Sequence, residues 1–438
     1  MKDFLRYAGN VKPTERQLSW FDMEFYAFVH FSPNTYTGLE WGTGKEDPLI
    51  FNPTELDCRD WVKAVKSAGM KGLILTAKHH DGFCLWQTDT TVHSMKSSPY
   101  KNGLGDVVGE AAKACAEGGI KFGVYLSPWD RNNVCYGTPE YNDFYCAQLA
   151  ELLTNYGKLF MVWFDGACKE GPNGRRQEYD FDRYISLIRK YQPNAVIFND
   201  HGPDVCWCGN ESGGSRFAEW AVVPHELCYR CKGGEDIVPP LCGDLAHMYN
   251  SDIDIGALSN ILYSSRLVFC GAEIDMSIRP GWFYHESEDP YSLERLFDTY
   301  IRSVGGNCCF NLNISPMKNG CFDERDVRML RELGKLIDKS FSFPLSCSVK
   351  RRENGDNRCV FDITLESERK VSYVVLSEDI ALGQRVETFT INSGDSVLFR
   401  GTTIGHKRIC RINKTVQSLR VHISSGRDTV VLRNIAVY

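Results

Sequence analysis

Much can be set aside from what this sequence lacks. No run in its 438 residues approaches the ~18 consecutive apolar residues of a membrane-spanning helix. The amino terminus, MKDFLRYAGN, has no apolar core of an export signal. The expected location is therefore the cytoplasm, with no membrane partner. Basic clusters are scarce: none is longer than Lys350-Arg351-Arg352, and the net charge is −6. That argues against nucleic acid as the main partner. There is no H-E-x-x-H motif, no repeat of 20–50 residues and no low-complexity tract. The eighteen cysteines are scattered rather than spaced as a small disulfide framework, and without an export signal they are expected to be reduced.

What is present is ordinary for a soluble globular protein. Apolar residues make up 43% and charged residues 24% of the chain. The length suggests two or three domains, or one large barrel with an addition. Aromatics reach 12%, with nine Trp. Such residues suit flat sugar faces, but they serve equally as core.

From residue 24 to about 340, short apolar runs alternate with amphipathic segments. EFYAFVHF (24–31), GLILTA (72–77), KFGVYLS (121–127), LFMVWFD (159–165), AVIFND (195–200) and NCCFNLNIS (307–315) read as strands. The segments at 57–70, 106–119, 142–157, 181–192 and 293–306 read as helices; Trp61, Val62, Val65 and Ala68 share one face of the first. This alternation predicts an α/β fold, a (β/α)8-like TIM barrel over residues 1–340. Residues 201–270 are rich in Gly, Pro and Cys, so the barrel is expected to be irregular there. From 345 to 438 the pattern changes to seven short alternating runs separated by turn residues. That predicts an antiparallel β-sandwich, more suited to bracing the barrel than to binding sugar, since it shows no aromatic platform beyond single residues such as Phe389 and Tyr438.

In FMVWFDG (160–166) an apolar run meets Asp165 and then glycine. Asp-Gly is a common turn pair, whereas the C-terminal ends of barrel strands are where catalytic residues sit. Other candidate strands end similarly: His30 after the first, His79 and His80 after the second, Tyr125 on the third with Pro128-Trp129-Asp130 beyond it, and Asn199-Asp200-His201 after the fifth. In a barrel these converge on one face.

Three chemistries compete for them. His30, His79, His80 and Asp165 could bind a catalytic metal, but adjacent histidines point to opposite sides of an extended backbone. Cys206-x-Cys208 and Cys228-x-x-Cys231 could form a structural zinc site, although they are not the usual double C-x-x-C. The third is glycoside hydrolysis, which needs two carboxyl groups. Asp165 would be one; Glu211 in CGNESGG, Glu219 in FAEW and Glu40 in GLEWG are candidates for the other.

AFVHFSPNTYTGLEWG (27–42), GLILTAKHHDGFCLW (72–86), VWFDG (162–166), GNESG (209–213), SIRPGWFYH (277–285) and GTTIGHKRI (401–409) together resemble glycoside hydrolase family 29, the retaining α-L-fucosidases. The resemblance covers essentially the whole chain. The GNESG and EWG segments resemble the branch acting on α-1,3- and α-1,4-linked fucose in branched, Lewis-type glycans. The resemblance implies that Asp165 is the nucleophile and Glu211 the acid/base, with Glu219 as fallback. It implies that His30, Glu40, Trp41, His79, His80 and Tyr125 bind the sugar, that Trp282 closes around it, and that His285 lies beside Trp282. It implies a fucosylated oligosaccharide or glycoconjugate as partner, and neither cofactor nor metal. A fucosidase of broader linkage tolerance and a non-catalytic fucose-binding protein remain the alternatives.

Overall fold

A computed structural model describes residues 2–199, 202–225, 254–262, 264–355 and 357–438. Among these, eight parallel strands close into a barrel: β1 (Phe25–Val29), β2 (Gly72–Lys78), β3 (Lys121–Leu126), β4 (Leu159–Trp163), β5 (Val196–Phe198), β6 (Val205–Trp207), β9 (Gly271–Ser277) and β10 (Cys309–Asn313). Two further strands, β7 (Val222–Pro224) and β8 (Leu267–Phe269), pair antiparallel as a separate small sheet. The strands are buried on both faces, as parallel barrel strands must be. On β1, Phe25, Ala27 and Val29 pack in the cluster that holds the helix residues Trp61, Val62 and Val65. Tyr26 and Phe28, on the opposite face, join Tyr125, Trp163 and Phe198 in the barrel interior.

The helices begin where the sequence supplies caps. Asp57 accepts from the N–H of Arg59 at the start of Cys58–Ser67, and Asp106 from that of Gly109 at the start of Val107–Gly118. The described part of residues 201–270 contains more barrel than its composition suggests. It supplies β6, and β9 follows directly after it. It also holds a disulfide between Cys206 and Cys270, with Cα atoms 6.1 Å apart. This corrects the expectation of uniformly reduced thiols and removes Cys206 from the C-x-C zinc reading. Cys228 and Cys231 lie outside the described residues, as do Asp200 and His201.

The tail is an antiparallel β-sandwich built from β11 (Cys347–Glu353), β12 (Cys359–Glu378), β13 (Val386–Ser393), β14 (Ser396–Gly401), β15 (Arg408–Gly426) and β16 (Leu432–Val437). The seven expected runs become fewer strands because β12 and β15 are long and continuous. Register slips between Thr364 and Arg369 mark where they bend, through an exposed charged stretch at Glu366–Lys370. Both halves of β12 feed one core, with Phe361, Ile363 and Leu365 from the first and Val374 and Leu376 from the second.

The tail is pinned to the N-terminal end of the barrel. Gly306 and Arg408 form a backbone bridge, and the His406 N–H donates to Asn307 Oδ1 at 2.6 Å. Glu24, immediately before β1, meets His406 Nε2 at 3.2 Å and Lys407 Nζ at 2.6 Å. Burial alone would raise the Glu24 carboxyl, but the His406 hydrogen bond and the Lys407 charge outweigh it and hold the group down to about 2 from 4.5. A carboxyl lowered on folding contributes stability above its unfolded value and loses it as pH falls through its folded value. Glu24→Gln should therefore cost about 2–3 kcal/mol at pH 7 and flatten the decline of stability between about pH 4.5 and pH 2. Denaturant titration of wild type and variant across that range checks both.

Candidate active site

The polar strand ends do converge. Asp165 lies two residues beyond β4. Its Oδ1 accepts the N–H of Ala167 at 2.7 Å, which closes the turn, and its Oδ2 accepts the Tyr125 hydroxyl at 3.0 Å. One oxygen of Asp165 thus closes the turn, and the other faces the Tyr125 hydroxyl. His80 Nε2 stands 3.8 Å from the same Oδ2.

The histidines come together rather than apart. The His79 and His80 rings are 4.1 Å apart, and His30 is 5.5 Å from His79. The opposed orientation expected for neighbours on a strand fails because β2 ends at Lys78 and residues 79–82 already turn. Other residues of the TAKHHDGF motif shape that turn. Asp81 accepts Ser32 Oγ–H at 2.6 Å and Phe83 N–H at 2.9 Å. Gly82 has φ +78°, and a Cβ there would meet Asp130 Oδ1 at 2.6 Å. Asp130 in turn pairs with the buried ammonium of Lys78 at 2.9 Å.

Burial holds all three imidazoles neutral: His30 is lowered to about 3, His80 to about 4, and His79 falls well below its ordinary value. Their tautomers follow from fixed partners. Asn313 Oδ1 must accept because the backbone N–H of His30 donates to it, at 3.1 Å. Asn313 Nδ2 must donate because the carbonyl of Trp282 lies 2.8 Å away. His30 Nδ1, 2.9 Å from Oδ1, therefore carries the proton and leaves Nε2 as an acceptor. His80 Nδ1 donates to Ser127 Oγ at 2.7 Å, since that hydroxyl already donates to the Trp129 carbonyl. A neutral imidazole with one donor and one acceptor suits an alcohol.

The opposite rim is knitted by Glu40, Glu211, Trp282 and His285. Glu40 Oε2 accepts the Trp282 N–H at 2.9 Å, and Oε1 lies 3.2 Å from His285 Nε2. The Trp282 indole N–H donates to Glu211 Oε2 at 3.0 Å, while its ring sits 4.9 Å from that of His30. Glu211 keeps some access to solvent. Its carboxyl is pushed above its ordinary value chiefly by partial desolvation, with the charges of Asp165 and Glu40 adding and the Trp282 hydrogen bond opposing. Trp41 stands at the edge, 50% exposed, with Lys169 Nζ 4.2 Å from its ring centre. Glu219 is elsewhere: it is buried, paired with Arg216 at 3.1 Å, and its backbone N–H bonds Gly306 at the other end of the barrel. Among the described residues, no three His, Cys, Asp or Glu side chains group as metal ligands.

The α-L-fucosidase family profile matches residues 11–219. Alpha-L-fucosidase 1 of Arabidopsis thaliana is 39% identical over 97% of this chain and 87% of its own length. The chain belongs to glycoside hydrolase family 29. A crystal structure of a glycoside hydrolase 29 family member from an unknown rumen bacterium superposes with a TM-score of 0.84 at 37% identity, covering 98% of this chain and 78% of that one. A Ruminococcus gnavus family 29 fucosidase in complex with fucose gives a TM-score of 0.84 at 29% identity, covering 98% and 95%. The enzyme is thus an α-L-fucosidase, a glycoside hydrolase acting on fucosylated glycans.

Several residues of this fucosidase site escaped the sequence reading. Asn313 and Asn311 alternate along NCCFNLN, a period-2 signal that was there to be found. On β9, Glu273, Asp275 and Ser277 alternate with Ala272, Ile274 and Met276, and all seven strand residues are buried. Asp275 accepts the Trp207 indole N–H at 2.9 Å, and burial, with Glu273 and Glu211, pushes its carboxyl well up. Asn313→Ala frees both the His30 ring and the Trp282 carbonyl. It should lower kcat/KM on an aryl α-L-fucoside by roughly ten- to a hundredfold, as a small misplacement of positioning groups does, with the fold intact by circular dichroism.

Proposed function

We propose that this α-L-fucosidase is a retaining, exo-acting enzyme that removes α-1,3- and α-1,4-linked fucose from branched, Lewis-type glycans. Asp165 is the nucleophile and Glu211 the acid/base. The observation that carries the catalytic assignment is the contrast between the two carboxyls. Asp165 accepts two hydrogen bonds at a barrel strand end. Glu211 faces it from a loop and is pushed toward its protonated form, in part by the charge of Asp165.

In the first step an Asp165 oxygen bonds to the anomeric carbon as the bond to the leaving oxygen breaks. Glu211 gives its proton to that oxygen, so the aglycone departs as an alcohol. In the second step Glu211, now a carboxylate, takes a proton from water. The hydroxyl displaces Asp165 from carbon, and two inversions restore the α-configuration. His30, His79, His80, Tyr125 and Glu40 bind the fucose hydroxyls and ring oxygen region, Trp282 covers the sugar, and His285 steadies Glu40. Trp41 and Lys169 form a half-exposed aromatic and cationic ledge beside them. That ledge, with the resemblance of GNESG and EWG to the branch-specific enzymes, supports a second sugar of a branched glycan as the leaving group.

Asp165→Ala should lose about a thousandfold or more in kcat. Glu211→Ala should lose about 10²–10⁴-fold on a glycan yet keep most activity on an aryl fucoside whose phenol needs no proton. The acid must be protonated, so wild-type kcat/KM falls as pH rises through the elevated Glu211 value. In Glu211→Gln that alkaline limb should vanish; a limb that persists unchanged removes Glu211 from the role. Linkage is tested by fucose release from a Lewis-type trisaccharide and from 2′-fucosyllactose. Release from the first alone supports the linkage assignment, and equal release from both retires it. Fucose binding without release from either substrate would mark a binding protein.

A further inference from the structure

A cavity of about 230 Å3 lies between the barrel and the tail, where the hydrolysis above has no use for it. Phe217 and Phe399 form an apolar wall, with ring centres 6.1 Å apart. Four guanidiniums line the rest: Arg216, Arg302, Arg408 and Arg411. Two carboxylates answer them. Glu219 pairs with Arg216 at 3.1 Å, and Asp298 is shared by Arg302 at 2.8 Å and Arg411 at 2.6 Å.

Arg408 has no carboxylate within ion-pair distance among the described residues. It is only 3% exposed. Nη1 donates to the Phe217 carbonyl at 2.6 Å, Nε meets no acceptor, and the guanidinium carbon lies 4.6 Å from the Phe217 ring centre. Asp254 acts on it only from farther away, and burial raises that carboxyl to about 6. A buried cation without a counter-charge is costly, and an oxyanion is what a planar guanidinium fork binds best.

We propose that this cavity is a binding site for a small oxyanion, a carboxylate, sulfate or phosphate, carried on a ring that packs against Phe217 and Phe399. Its size suits a single ring and not an oligosaccharide, since one water claims about 30 Å3. Charge surplus, aromatic wall and an Arg408 that has a carbonyl and two rings for partners but no carboxylate all meet there. Ser215, Arg216 and Phe217 follow the GNESG loop after Gly214, and Ser215 Oγ bonds the Arg302 carbonyl at 3.4 Å. An occupant would therefore brace the chain a few residues from Glu211.

The test is calorimetric titration of the full chain with inorganic sulfate, inorganic phosphate, benzoate and glucuronate, which reads binding independently of turnover. Saturable one-to-one binding of at least one probe is expected. Arg408→Gln should weaken it about tenfold or more. Arg411→Gln, at a half-exposed position that leaves Asp298 paired with Arg302, should weaken it roughly three- to tenfold and guards against a folding defect in the first variant. Tighter binding of the ring-borne carboxylates supports the proposal and assigns an acidic sugar or aryl acid; tighter binding of the inorganic ions overturns the ring and leaves a free-ion site. No saturable binding of any probe, or binding unchanged in both variants, overturns it.

Discussion

One side-chain amide ties the site together. Asn313, at the end of β10, accepts from the His30 backbone and ring and donates to Ser277 Oγ and to the Trp282 carbonyl. It thereby joins β1, β9 and the loop that carries Trp282. Each partner then fixes something else. His30 acquires a single tautomer. Trp282 takes a position from which its backbone N–H reaches Glu40 and its indole reaches Glu211. No other group could do this at the same place: an aspartate would lose the donors, and a leucine would leave four polar groups unanswered in a buried setting.

Beneath this layer, the barrel holds a charge-bearing group where apolar filling is the norm. Glu273 accepts from the Trp163 indole at 2.8 Å, from Asn311 at 3.1 Å and from the Tyr26 hydroxyl, which itself accepts the Trp20 indole N–H. Burial lifts its carboxyl to about 7 even against those three donors. The benefit is positional. Trp163 is clamped at its nitrogen by Glu273 and stacked 4.1 Å from Phe198, and its other face supports Tyr125, whose hydroxyl bonds Asp165. The carboxyl in the floor and the carboxyl at the rim are connected through two stacked aromatic rings.

The sequence made parts of this legible for physical reasons and hid others for equally physical ones. β1 to β5 and β10 announce themselves because strands buried on both faces must be nearly continuous in apolar residues. β9 hides because its inward positions, Glu273, Asp275 and Ser277, are polar, so GAEIDMS looks like a surface segment when it is wholly buried. The long strands of the tail were split by exposed charges at their bends. The meeting of His79 with His80 depends on where β2 stops, one residue earlier, and strand boundaries are the least certain part of any periodicity argument. The pairing of Cys206 with Cys270 spans 64 residues of sequence that no local pattern connects.

The segment that carries Glu211 is held from two sides by different kinds of force. Toward the barrel, Trp282 supplies one hydrogen bond, and the Ser212–Met276 bridge stitches the loop to β9. Toward the tail, Arg408 reaches from β15 to the Phe217 carbonyl and rests on its ring. The first hold fixes the Glu211 carboxyl at the indole of Trp282. The second comes from a domain outside the barrel, whose β15 begins at Arg408 and is joined to Gly306 by backbone pairing. A sandwich that only covered apolar surface would need no such reach. Its placement makes the tail a structural partner of the Glu211 loop, joined through Arg408 to Phe217 only a few residues along the chain.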